Sequence, residues 1–77
     1  MTKDSILDIL TELRPEFDFT ENVNFIEEGM LDSFDVVSLV AELEKKFGVK
    51  IEGVDVVSSN FATLDSIIAL VEKSRAK

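Results

Sequence analysis

The sequence predicts an all-α fold, a small four-helix bundle with three longer helices, one short one and a long first loop. Three observations predict it. Apolar residues recur at three- and four-residue spacing in three stretches. Start and stop residues of the kind that flank helices bracket those stretches. At 77 residues the chain makes one domain over 1–77, with no room for a second core.

The first helix is expected from Lys3 to Leu13, where Ile6, Leu7, Leu10 and Leu13 share a face and Thr2 or Asp4 supplies a cap. Pro15 opposes its continuation past Arg14, because the residue before a proline is driven out of the helical region. Residues 15–32 form a long connection that Phe17, Phe19, Val23, Phe25 and Ile26 can anchor to a core. Connections of that length in a small domain are often functional. The second helix is expected from Asp32 or Ser33 to Phe47. Asp32 and Asp35 resemble a capping box with a shorter acid, and Gly48 stands where a helix-terminating glycine belongs. After a short extended link at Val49 to Ile51, a short helix is expected near Asp55 to Ser59. The last helix is expected from Leu64 to Ser74, capped by Thr63, with Leu64, Ile67, Ile68 and Val71 facing inward. Lys73 and Arg75 complement the negative end of its dipole.

Composition narrows the function. A chain this short buries only about 60% of the surface its unfolded form exposes. That favours a binding or carrier module over an enzyme with a deep pocket. Cys and His are both absent, which removes disulfides, thiolate metal sites and the commonest general base. No catalytic or metal-ligating residue is expected, and the acids lack the alternating spacing of a calcium loop. The net charge of −8 repels nucleic acid and anionic membrane surfaces and attracts partners with basic patches. Between Pro15 and Glu44 lie nine acidic residues and no basic one. No apolar run reaches the roughly 18 residues of a membrane helix. Asp4 and Asp8 interrupt the stretch a secretory signal would need, so a cytoplasmic location is expected; no membrane insertion and a monomeric state are expected as well.

The second helix carries more apolar residues than one neighbour needs. At about 100° per residue, Val36, Leu39, Val40, Leu43 and Phe47 make a core stripe. Phe34, Val37 and Ala41 make another, centred roughly 130° away. An apolar strip rimmed by acids is a docking surface unless the short helix and the long loop cover it.

Ser33 opens this helix. Asp-Ser at a helix start is ordinarily a capping pair. Its surroundings point elsewhere. Gly29, Asp32, Ser33, Phe34, Leu39, Leu43, Glu44 and Phe47, followed by Phe61-Ala62-Thr63-Leu64 with Ile67 and Ile68, resemble the acyl carrier protein family. The likeness runs from about residue 23 to 72. It implies a four-helix bundle and a 4′-phosphopantetheine arm joined to Ser33 by a phosphopantetheinyl transferase, with Asp32 supporting the transfer. The cargo would be an acyl or aminoacyl thioester on that arm. An adenylating or acyl-transferring enzyme would load it, and a downstream transferase or synthase in lipid, polyketide, nonribosomal peptide or cell-wall polymer biosynthesis would receive it.

Leu31-Asp32-Ser33-Phe34 after Glu27-Glu28-Gly29-Met30 is similar to D-alanyl carrier proteins, which serve cell-wall polymer modification. Asp35 stands where those usually have Gly, and Ser38 and Lys45 stand where fatty-acid carriers usually have acids. The expected partner face comprises Phe34, Val37 and Ala41 with Met30, Asp35 and Glu44. An unmodified acidic helical adaptor using the same stripe is the alternative from another class.

Overall fold

A computed structural model describes residues 2–75. Helix α1 spans Thr2–Leu13, α2 spans Ser33–Phe47 and α3 spans Leu64–Arg75. Helix α1 packs against both α2 and α3, which also touch each other. Their facing stripes meet in one apolar core that includes Ile6, Leu10, Leu39, Leu43, Ile67 and Val71. Two residues the periodicity left out, Ile9 and Leu70, are also buried. Leu7, Leu64 and Ile68, assigned inward positions, pack at the margin of the core.

The long connection between α1 and α2 is built on aromatic anchors. Phe19 and Phe25 are buried and meet edge-to-face with centroids 5.0 Å apart, the arrangement that ring quadrupoles favour. The Phe25 carbonyl accepts the N–H groups of both Met30 and Leu31, while the Phe25 N–H donates to the Ala62 carbonyl ahead of α3. Gly29, at φ 74°, supplies the left-handed step that lets the chain double back. Met30 and Leu31 therefore plunge into the core immediately before Ser33.

The two ends of α2 match their sequence signals. The Asp32 side chain accepts from the Asp35 N–H, and the Asp35 side chain accepts from the Asp32 N–H, a reciprocal capping box. Gly48, at φ 63°, ends the helix in the left-handed region. At α3, Thr63 Oγ1 accepts the Ser66 N–H and Ser66 Oγ accepts the Thr63 N–H.

Among the described residues the α-helices number three. Where a short helix was expected near Asp55 to Ser59, two single 3₁₀ turns lie instead, at Gly53–Asp55 and Ser58–Asn60. Gly53 and the β-branched Val54, Val56 and Val57 are poor helix formers, and this favours short i→i+3 turns. The segment is tied down by Asn60 Nδ2, which donates to the Asp55 carbonyl at 2.7 Å, and by Lys73 Nζ, 2.8 Å from Asp55 Oδ1.

Candidate functional site

Ser33 is the first helical residue of α2 and is exposed. The N–H groups of the first turn precede any intrahelical acceptor, so the start of α2 favours an anion beside Ser33. Asp32, the cap, is also exposed, with its Oδ1 engaged by the Asp35 N–H at 2.9 Å.

An open groove of about 510 Å³ has Ser33 and Asp32 among its lining residues. Its walls include Ile26 from the loop, Val36 and Val37 from α2, and Val56 and Val57 from the 3₁₀ segment. An exposed serine on the wall of a mostly apolar groove fits an arm with an anionic root and a long, largely uncharged stem. The residues present are compatible with that group.

The expected partner residues divide. Phe34 is 76% exposed, Val37 is 64% exposed, and Ala41 is exposed beside them. Neither the loop nor the 3₁₀ segment covers the second stripe. Val54, 84% exposed, and Val57 add apolar surface from the 3₁₀ segment.

Of the other three expected positions, Met30 and Asp35 are buried and Glu44 is half-buried. Met30 is 5% exposed and belongs to the core, because the loop needs an inward anchor before α2. Asp35 is 6% exposed. It lies about 40° around the helix from Leu39, close enough to the core stripe for the end of α1 to cover it. Glu44 is half-buried, and its Oε2 accepts the Ile51 N–H at 2.9 Å, which fastens the chain after α2.

Asp35 is buried with a partner the sequence reading missed. Arg14 Nη2 stands 2.8 Å from Asp35 Oδ2, and Nε donates to the same oxygen at 2.9 Å. Burial pushes the Asp35 carboxyl up, but the Arg14 hydrogen bonds and charge and the Asp32 N–H outweigh it and hold it below the usual carboxylate range. No local signal could have found this pair, since 21 residues separate its members. Val57 was missed as well; the run Val54, Val56, Val57 in a polar segment was the available signal.

Residues 4–71 match the family model described as a phosphopantetheine attachment site. The chain belongs to the phosphopantetheine carrier family. It is also 35% identical to a D-alanyl carrier protein of Staphylococcus saprophyticus, with 95% of this chain and 96% of that one covered. A D-alanyl carrier protein of Lacticaseibacillus casei is 37% identical, with 95% and 93% covered. One of Bacillus cereus is 36% identical, with 95% of each chain covered. The protein is thus a carrier and not a catalyst, and its prosthetic group is covalently attached 4′-phosphopantetheine. Membership in this family displaces the unmodified-adaptor alternative. No α-helix among the described residues is long and apolar enough to cross a membrane.

Proposed function

We propose that Ser33 is the attachment point of the phosphopantetheine arm and that the cargo is a D-alanyl group. The observation that carries the attachment point is the exposed Ser33 at the start of α2, lining the apolar groove. The cargo rests on the full-length likeness to D-alanyl carrier proteins and on Leu31-Asp32-Ser33-Phe34.

The arm supplies a thiol that holds the cargo as a thioester, and this chain has no Cys to compete with it. The chain's own residues do the rest. Ser33 presents an unactivated hydroxyl with no His in the chain to deprotonate it, so the base must come from the transferase. Asp32 offers a carboxylate beside that hydroxyl to support the transfer. Phe34, Val37 and Ala41 present the apolar strip on which the transferase, the loading enzyme and the receiving transferase dock in turn.

In this reading residues 1–77 are one carrier domain, monomeric and cytoplasmic, with the two 3₁₀ turns at 53–60 in the place of the short fourth helix. The cargo is tested by presenting the holo protein, ATP and a D-alanine-adenylating enzyme with labelled D-alanine. A label released by neutral hydroxylamine, and absent without the arm, supports the proposal. No label from D-alanine, alongside labelling by a fatty acid and its ligase, overturns the D-alanyl assignment.

A further inference from the structure

Arg14 leaves the end of α1 and crosses to the start of α2. Besides the two bonds to Asp35 Oδ2, its Nη2 lies 3.3 Å from Asp32 Oδ2 and its Nη1 lies 3.4 Å from Glu16 Oε2. Asp35 Oδ2 also accepts the Asp32 N–H at 3.1 Å, and Asp32 Oδ1 accepts the Asp35 N–H. Asp32, Asp35 and Arg14 thus form a closed ring of hydrogen bonds around the turn that contains Ser33.

Two members of the ring belong to that turn, and the third belongs to another helix. A capping box alone would fix the turn to itself. Arg14 fixes it to the bundle. The guanidinium fork is planar and supplies two donors to one carboxylate oxygen, which sets direction as well as charge. Asp35, 6% exposed, cannot keep its charge in that position without such a partner. Its carboxylate is consequently committed within the chain, whereas Asp32, with a side chain 62% exposed, remains open to an incoming enzyme.

We propose that Arg14 is a positioning residue for modification of Ser33, acting through Asp35 and Asp32 without touching the arm or its donor. The proposal rests on Ser33 being the attachment point. In that reaction a bond forms between Ser33 Oγ and the donor's phosphorus. The donor's diphosphate bond breaks, its nucleotide leaves, and the serine proton passes to a base of the transferase. Small displacements of a reacting oxygen are expensive in such displacements.

The experiment compares the apo wild-type protein with Arg14→Gln, Arg14→Lys, Ser33→Ala and Thr63→Ala, using coenzyme A and a broad-specificity phosphopantetheinyl transferase. Thr63→Ala removes the α3 cap and serves as a stability control away from Ser33. The expected result is a kcat about ten- to a hundredfold lower for Arg14→Gln with an unchanged KM for coenzyme A. Arg14→Lys should recover only part of the loss, because an ammonium lacks the fork. Thr63→Ala should melt earlier yet load at the wild-type rate. Independently of loading, amide exchange at Asp35 and Val36 should quicken about tenfold or more in Arg14→Gln, and the Asp35 carboxyl should titrate higher.

A wild-type rate for Arg14→Gln, unchanged amide exchange, or a loss confined to the KM for coenzyme A overturns the positioning role. If Arg14→Gln does not fold, the rates and exchange of Arg14→Lys decide by the same criteria. Failure of the underlying reading looks different: the wild-type protein gains no mass, or Ser33→Ala still does.

Discussion

Ser33 and Asp35 stand two positions apart, yet their surroundings assign them opposite tasks. Ser33 is exposed at the helix start; Asp35 is buried and held by Arg14. Because the Asp35 carboxyl is depressed below its ordinary value of 3.8, it contributes stability that is fully present above that value and is lost as pH falls through the folded one. Asp18, lowered chiefly by its hydrogen bond from the Thr20 hydroxyl, acts in the same direction. With no His in the chain, thermal melts followed by circular dichroism should be level between about pH 5 and 8 and fall below about pH 4. Asp35→Ala should cost about 1–3 kcal/mol and weaken that acid dependence. Asp32 and Ser33 were legible in the sequence because a cap and a helix start are local signals. Arg14 was not, because an ion pair between the end of one helix and the start of another depends on how the helices cross.

At the scale of elements, helix boundaries were readable where a residue stops or starts a helix for backbone reasons. Pro15, Asp32, Gly48 and Thr63 all stand at such places. Gly48→Ala should cost about 1–2 kcal/mol, since φ 63° strains any residue with a Cβ. The 3₁₀ segment was harder to read, because its β-branched valines and turn-forming residues support no clear period. The wheel of α2 separated two stripes, and the fold buries one and leaves the other exposed. Val37→Asp should therefore change stability by no more than about 0.5 kcal/mol. The same change should weaken loading about tenfold in transferase assays. A collapsed helical spectrum would instead place Val37 in the core. Asp35 was expected on the docking face; the face of a helix decides contact, and Asp35 stands about 40° from Leu39 and leans into the core.

For the whole molecule, stability should be modest, roughly 4–12 kcal/mol by the usual per-residue range. Removing a central aromatic therefore matters globally. Phe61, fully buried, should cost about 3–5 kcal/mol on replacement by Ala, a large share of the total, measurable by urea denaturation. The charge of −8 makes association with basic partners fall as salt rises, because exposed charges are screened beyond about 8–10 Å at physiological ionic strength. Salt-independent affinity would contradict that electrostatic account. The central claim is tested most directly by intact mass after incubation with coenzyme A and a phosphopantetheinyl transferase. The wild-type chain should gain the mass of one phosphopantetheine and Ser33→Ala none. No gain by the wild type with several transferases, or an equal gain by Ser33→Ala, would contradict it.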